Sequence, residues 1–176
     1  QLLTRILKRA KILVEQNTAV SCSEPLLYFL KSEINASNFD TSVLEIFSKL
    51  DDYDIVSAMK HWQYHDDFVL RNLCDMIINR DLLRIKLKNK PIKTKDLSIH
   101  KEKLIETYGI SEEEANYFVF HGDITNQAYA IDKQHINILF KSGKIKNISK
   151  ASDHLNLKAL SKQVTKYYIC YPKNKM

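Results

Sequence analysis

The sequence predicts an α+β protein. Residues 1–80 are expected to form a helical layer of about five helices, and residues 81–176 a ferredoxin-like antiparallel sheet of about four strands with helices on one face. Two observations support this fold class. Apolar residues recur at spacings of three and four up to the end of the first part. The period then changes to strict alternation at Leu83, Ile85 and Leu87, with basic residues between them, which is typical of a half-buried strand.

Five helical segments are predicted before residue 80. The first covers residues 2–15 and is amphipathic, with its basic residues mostly opposite the apolar face. Pro25 is tolerated in the first turn of the second helix, and Asp40 is a suitable N-cap for the third. Asp51 or Asp52 caps the fourth, and the fifth follows a short polar turn.

The second part mixes helices and strands, an order that favours a ferredoxin-like sheet. A helix is predicted from Lys95 to Thr107, with Gly109 placed to end it. A capping box beginning at Ser111 opens one or two helical turns. Tyr117 to His121 alternates as a strand.

The remaining elements are a loop, a hairpin and a final strand. Residues 122–133 read as a long loop, and Ser142-Gly143 as the turn of a hairpin. Residues 149–162 predict one or two short helical turns, and Val164 to Tyr171 the last strand.

Composition narrows the class of protein. The chain has 176 residues and 44% hydrophobic residues, which is ordinary for a globular protein. No stretch approaches the ~18 apolar residues of a membrane span. The three cysteines are odd in number and far apart, so we expect reduced thiols in a cytoplasmic protein rather than disulfides or a zinc site.

Charge is distributed unevenly along the chain. Residues 1–80 hold nine Lys and Arg against eleven Asp and Glu, a net charge of −2, and residues 81–176 carry +8. A basic half of this kind can attract nucleic acid, nucleotide phosphates or an acidic partner, but a charge run of this kind is more often only a solvated lysine-rich surface.

One stretch resembles a known family. The segment LDDYDIVSAMKHW, a short polar turn and a helix that ends in INRDLL contain Asp51, Asp52, Trp62, Asn79 and Arg80. These residues resemble the C-terminal region of the HD-superfamily phosphohydrolases, especially the bacterial deoxynucleotide triphosphohydrolase-like proteins. A leucine stands where the family usually has phenylalanine after the Asn-Arg pair.

The resemblance implies that the chain is the non-catalytic C-terminal part of a longer, metal-dependent enzyme. The catalytic His, His-Asp pair and distal Asp would lie upstream of Gln1 and would hold a divalent metal such as Mn, Mg, Fe or Ni. The first helix has no N-cap and the chain has no initiator Met, which agrees with this expectation. The implied partners are the protein's own HD core and further copies in a homo-oligomer, and the implied roles are oligomerisation, regulation or support of the active site.

The resemblance also suggests where a ligand would bind. Basic residues of the first helix, Arg5, Lys8 and Arg9, are the candidates for contact with a nucleotide or effector. Arg80 is expected to have a structural role, by pairing with a carboxylate of the LDD segment or with carbonyl groups at a helix end. No catalytic residue and no metal ligand is assigned to this chain.

Other candidates for chemistry have a structural explanation. His61 and His65-Asp66 lie at a helix–helix turn without further ligands, so we expect both histidines to be structural or exposed. Cys74 falls on an apolar stripe, and neither Cys22 nor Cys170 has neighbours in sequence that would activate a thiol.

A different class of function remains open. The chain could be a free-standing module that binds nucleic acid or an acidic partner through its basic half. The predicted strands carry aromatic residues beside many lysines, which suits stacking on RNA bases, although the glycine-rich RNA-recognition consensus is missing. These aromatic residues are Tyr117, Phe118, Phe120, Tyr167, Tyr168 and Tyr171.

Overall fold

The α+β class is confirmed by a computed structural model, which describes residues 1–126, 137–147 and 164–173. The described residues form seven helices and five strands. In chain order these are α1 (Leu2–Glu15), α2 (Glu24–Lys31), α3 (Thr41–Phe47), α4 (Asp52–Trp62), α5 (Phe68–Ile78), β1 (Arg84–Lys88), α6 (Thr94–Tyr108), α7 (Glu112–Phe118), β2 (Phe120–Asn126), β3 (Asn137–Leu139), β4 (Ile145–Asn147) and β5 (Val164–Tyr171). No described helix has the length and apolar character of a membrane span.

The chain divides into two compact units. The first consists of Gln1–Arg84, Ile99–Phe120 and Cys170–Met176, and the second of Ile85–Ser98 and His121–Ile169. The predicted boundary near residue 80 lies close to the end of the first segment. The first unit nevertheless also contains α7 and most of α6, which the sequence had grouped with the sheet.

Helix α5 is central to the first unit. Both α1 and α4 pack against it, and its residues Leu70, Leu73 and Cys74 are fully buried. Trp62, at the end of α4, is 1% exposed, and its indole N–H donates a hydrogen bond of 2.8 Å to the carbonyl oxygen of Ser21. The large apolar ring is therefore buried without leaving a polar atom unpaired.

The LDD segment begins helix α4 through its first aspartate. The Asp51 carboxylate accepts hydrogen bonds from the backbone N–H groups of Tyr53 and Asp54, and Asp54 accepts one from the N–H of Asp51. This reciprocal capping box leaves Asp52 as the first residue of the helix. The aspartates thus satisfy backbone groups at a helix start, where negative charge is also favourable.

The Asn-Arg pair ends helix α5. The Asn79 side-chain amide donates a hydrogen bond of 2.7 Å to Asp75. Arg80 follows with φ of +59°, and its backbone N–H donates to the carbonyl oxygen of Ile77. The Arg80 side chain is exposed and makes no hydrogen bond or ion pair with another described residue, so the expected pairing with a carboxylate or helix-end carbonyls is not found there.

A partly buried ion pair connects α1 to the start of α5. The Arg9 guanidinium binds the Asp67 carboxylate with two hydrogen bonds, 3.1 Å from Nε to Oδ1 and 2.5 Å from Nη2 to Oδ2. The two side chains are only 17% and 10% exposed. Asp67 is also the N-cap of α5, because its Oδ1 accepts from the backbone N–H of Leu70 at 2.7 Å.

The ionisation of Asp67 reflects these contacts. Burial opposes its ionisation, but the hydrogen bonds from Arg9 and from the Leu70 amide outweigh burial, so the pKa of Asp67 lies below its ordinary value. The same hydrogen bond raises the pKa of Arg9. Both groups are therefore charged at neutral pH, and each stabilises the charged form of the other.

The described strands do not form the predicted ferredoxin-like sheet. β1, β5 and β2 form a three-stranded antiparallel sheet in that order, and β3 and β4 pair separately with each other. The hairpin is confirmed, with Leu139 opposite Ile145 and Gly143 at φ +77° in its turn. The hairpin strands β3 and β4 have three residues each and pair only with each other among the described strands. The main sheet therefore has three strands instead of the predicted four.

Several predicted bounds are confirmed and one strand is wrong. α6 ends at Tyr108 before Gly109, whose φ is +64°, and β5 has the predicted bounds. The predicted strand from Tyr117 to His121 is instead the end of α7, followed by β2. The capping box between Ser111 and Glu114 forms and starts a helix that continues to Phe118.

The alternation at the first strand does not produce a buried face. Leu83 is buried, but Ile85 and Leu87 are 60% and 58% exposed. β1 lies at an edge of the sheet, where a strand has only one neighbour. Residues 127–133 of the predicted loop and the helical turns predicted at 149–162 lie outside the described residues, whereas residues 122–126 of that loop belong to β2.

Replacement of Arg80 tests the strained end of α5. A left-handed backbone conformation costs a residue with a side chain roughly 1 kcal/mol of free energy, and glycine does not have this cost. We expect Arg80→Gly to have a free energy of unfolding higher than that of Arg80→Ala by about 0.5–1 kcal/mol. Urea denaturation of the two variants measures this difference. A lower stability of the glycine variant would contradict the assigned backbone conformation.

Replacement of Asp67 tests the ion pair. Asp67→Ala leaves the partly buried Arg9 without its partner and removes the N-cap of α5, so the free energy of unfolding should fall by about 2 kcal/mol. The neighbouring Asp66 is exposed, and Asp66→Ala should stay within about 0.5 kcal/mol of the parent protein. Equal losses from the two variants would contradict this assignment.

The same pair predicts a pH dependence. Because the folded-state pKa of Asp67 is lowered, its stabilisation is complete above the unfolded-state pKa near 4 and is lost as pH falls through the folded-state value. Urea denaturation between pH 2 and pH 6 should therefore show a steeper acid loss of stability in the parent protein than in Asp67→Asn.

Candidate functional site

The three cations predicted on the first helix have different surroundings. Arg5 and Arg9 are half-buried, and Lys8 is exposed. Lys8 and Arg9 are adjacent, and Arg5 lies about one helical turn before them. All three are on the part of α1 next to α7 and the start of α5. Arg9 is held by Asp67, and its guanidinium carbon lies 5.8 Å from the centre of the Tyr117 ring. This arrangement makes Arg9 a packing residue.

Arg5 joins α1 to the end of α7. Its Nη1 donates a hydrogen bond of 2.8 Å to the carbonyl oxygen of Asn116, one of the last carbonyl groups of that helix. Its guanidinium carbon lies 3.5 Å from the centre of the Phe120 ring, a distance at which the cation is attracted to the aromatic face. A cation near a helix C-terminus is also favoured by the helix dipole.

A shallow cleft lies between these two helices. It has a volume of about 280 Å³, and its lining residues are Gln1, Thr4, Arg5, Lys8, Asn116 and Tyr117. The Lys8 ammonium group makes no hydrogen bond or ion pair with any residue in the described ranges. The structure thus brings Arg5 and Lys8 to one cleft, with Tyr117 beside them, and leaves Arg9 bound to Asp67.

A second cleft was not predicted from the sequence. It has a volume of about 270 Å³, and His100, Lys103, Thr107, Tyr108, Tyr171 and Lys173 are among its lining residues. The rings of His100 and Tyr171 are stacked, with their centres 3.9 Å apart and their planes at 13°. The two residues are far apart in the chain, so no local pattern indicates this contact.

The literal His-Asp pair is structural. His65 Nδ1 accepts a hydrogen bond from the backbone N–H of Asp67 at 2.9 Å, and Nε2 lies 3.1 Å from the carbonyl oxygen of Ala19. A backbone N–H only donates and a carbonyl only accepts, so the ring is the neutral tautomer with its hydrogen on Nε2. Both ring nitrogens are therefore occupied by backbone groups. His61 is exposed.

The thiols lack the features of reactive cysteines. Burial raises the pKa of Cys74 to about 12 and also raises the pKa values of Cys22 and Cys170. Within the described ranges, no group of three or more His, Cys, Asp and Glu side chains is arranged to hold a metal ion.

Three of the six aromatic residues considered for RNA stacking are buried, and Tyr117, Tyr167 and Tyr171 are partly exposed. Phe118 is fully buried, and Phe120 and Tyr168 are each 7% exposed. Tyr117 and Phe118 belong to α7 and not to a strand. Faces that pack in the core are not available to stack on bases.

The comparisons with known proteins show a similarity to a solved phosphohydrolase structure. No protein-family model matches the chain, and no curated protein matches it. A crystal structure of a phosphohydrolase from Bacteroides thetaiotaomicron is similar, with 38% sequence identity and a TM-score of 0.86. The match covers 98% of this chain but 43% of that one. The chain thus resembles part of a phosphohydrolase and spans less than half of the length of that protein.

Proposed function

We propose that this chain is the non-catalytic C-terminal part of a metal-dependent HD-domain phosphohydrolase, similar to the deoxynucleoside triphosphate triphosphohydrolases. The observation that supports this most strongly is the 38% identity to a phosphohydrolase across 98% of the chain. The Asp51, Trp62 and Asn79 motif agrees with the resemblance, because each of these residues has a defined place in the helical unit.

In this proposal the chemistry belongs to a preceding part of a longer polypeptide. A divalent metal such as Mn, Mg, Fe or Ni, held there by His and Asp, would activate the attacking water. The helical residues of the present chain would pack against that catalytic part. The α+β residues would form an accessory region that serves oligomerisation, regulation or support of the active site, in a cytoplasmic homo-oligomer.

The cleft between α1 and α7 is the place where we propose contact with a nucleotide or effector. Arg5 and Lys8 both line it, and the Lys8 ammonium group is exposed. A phosphate group would form charge-assisted hydrogen bonds with such cations. Arg9 contributes indirectly, because its bidentate pair with Asp67 fixes the helix that carries the other two.

Hydrolysis assays distinguish this proposal from the alternative that the chain is a free-standing binding module. The purified 176-residue chain with added Mn²⁺ should release no phosphate, pyrophosphate or tripolyphosphate from deoxynucleoside triphosphates. The product of the complete gene should release one of them. Its upstream region, of about 200 residues or more, should contain a His, a His-Asp pair and a distal Asp. Replacement of the Asp of that pair is the control, since it should abolish the activity.

Two outcomes would contradict the proposal. One is metal-dependent hydrolysis by the 176-residue chain alone. The other is a complete gene that encodes no such upstream region, and the basic sheet would then be the place to look for an acidic or nucleic-acid partner. The exposed Arg84 and Lys86 of β1 favour that second function mainly through charge, because three of the six aromatic residues are buried.

A charge-neutralising substitution tests the cleft. Lys8→Gln in the complete protein should weaken binding of a deoxynucleoside triphosphate effector about tenfold, the loss expected for one charge-assisted contact worth roughly 1.4 kcal/mol. Lys60→Gln, at an exposed position on α4, is the matched control and should leave the affinity unchanged. Equal affinities of the parent and the Lys8 variant, measured by calorimetry, would remove Lys8 from the site.

A further inference from the structure

Helix α3 exposes most of its apolar side chains. It has seven residues, and Val43 is its only residue that is buried. Leu44 and Phe47, three positions apart and hence on one side of the helix, are 51% and 52% exposed. Phe39, just before the helix, is 46% exposed. Three large apolar side chains in one short stretch are therefore half in contact with solvent.

These side chains form a contiguous surface and are not scattered. The Phe47 ring lies edge-on to Phe29 of α2, with ring centres 5.9 Å apart, and to Phe39, with centres 6.3 Å apart. We refer to Phe29, Phe39, Leu44 and Phe47 as the aromatic patch. Single exposed apolar residues are normal on protein surfaces, whereas contiguous apolar patches mark interaction surfaces.

We propose that the aromatic patch packs against the preceding, catalytic part of the same longer polypeptide. This inference rests on the proposed function and identifies the surface through which the helical unit would join that part. More than half of the similar phosphohydrolase lies outside the match to this chain. A polypeptide of that extra length needs apolar surface on this chain to pack against, and the aromatic patch is such a surface in the first unit.

The size of the patch favours a covalently attached occupant over a second copy. Phe39, Leu44 and Phe47 are about half exposed and offer roughly 100 Å² each, and Phe29 offers less. Together they supply less than half of the ~800 Å² per partner that is typical of stable complexes. Separate chains must also compensate for lost translational and rotational freedom, which segments of one polypeptide do not lose. A small apolar patch is therefore sufficient within one chain and insufficient for a dimer by itself.

Hydroxyl-radical footprinting tests this proposal without a substitution. Labelling of Phe39 and Phe47 should be several-fold lower in the complete protein than in the 176-residue chain. Tyr64, which is 87% exposed and outside the patch, is the reference and should be labelled equally in both. Equal labelling of Phe39 and Phe47 in the two proteins would overturn the proposal. Protection that increases with the concentration of the 176-residue chain would also overturn it, because a second copy would then be the occupant.

A double variant provides the matching stability measurement. Leu44→Ser with Phe47→Ser should lower the melting temperature of the complete protein by several degrees more than that of the 176-residue chain, in which both side chains are already about half exposed. Tyr64→Ser should be neutral in both. Equal effects of the double variant in the two proteins would overturn the assigned interface.

The outcomes also separate this inference from the proposed function. An upstream region without the His and Asp set, or without hydrolytic activity, contradicts the function even when the patch is protected. An active enzyme with an unprotected patch contradicts only the interface.

Discussion

The ion pair between Arg9 and Asp67 is the interaction on which the helical unit depends. Asp67 is bound on three sides: Arg9 and the Leu70 amide donate to its carboxylate, and its own N–H donates to His65. One residue thus fixes the turn between α4 and α5, the start of α5 and the rotation of α1. Removal of either charged partner would leave the other charge unpaired in a partly buried position, which costs more than an exposed ion pair contributes.

The position of the candidate cleft follows from this constraint. Once Arg9 is directed at Asp67, the helical repeat places Arg5 one turn away, against the last carbonyl groups of α7 and the Phe120 ring. Lys8, next to Arg9 in sequence, is then directed to solvent at the cleft. The three cations looked equivalent in sequence, but packing divides them into two that hold helices together and one that is free to meet a ligand.

Local features of the fold could be predicted, and long-range contacts could not. The caps at Asp40, Asp51 and Ser111 follow from interactions within four residues, and the structure has all three. The partner of Arg9 lies 58 residues away and that of Trp62 lies 41 away, so neither contact leaves a periodic signal. These contacts depend on which helices meet, and single-sequence patterns do not contain that information.

The strand errors have the same origin. The residues from Tyr117 onward alternate in a way that predicts a strand, but the capping box before them starts a helix that includes Tyr117 and Phe118. The helix is favoured because it buries Ala115 and Phe118 at helical spacing. At β1 the alternation is real, but an alternating strand is buried only when something covers its apolar face. Ile85 and Leu87 lie on an edge strand and remain more than half exposed. A periodic pattern specifies the geometry of an element but not its burial.

The short helix α3 is likewise a regular helix with little of its apolar surface buried. Isolated helices of this length are marginal in water, so seven residues need tertiary contacts to remain helical. α3 has an N-cap, since Asp40 accepts from the backbone N–H of Val43, and it has one buried side chain. The Phe47 ring packs edge-on against Phe29 and Phe39, and Leu44 and Phe47 remain about half exposed. A helix with so little of its apolar surface buried gains more from a partner than α5, whose core positions are already filled. This difference in burial is the physical reason to propose α3 as the surface against which a preceding part of a longer polypeptide would pack.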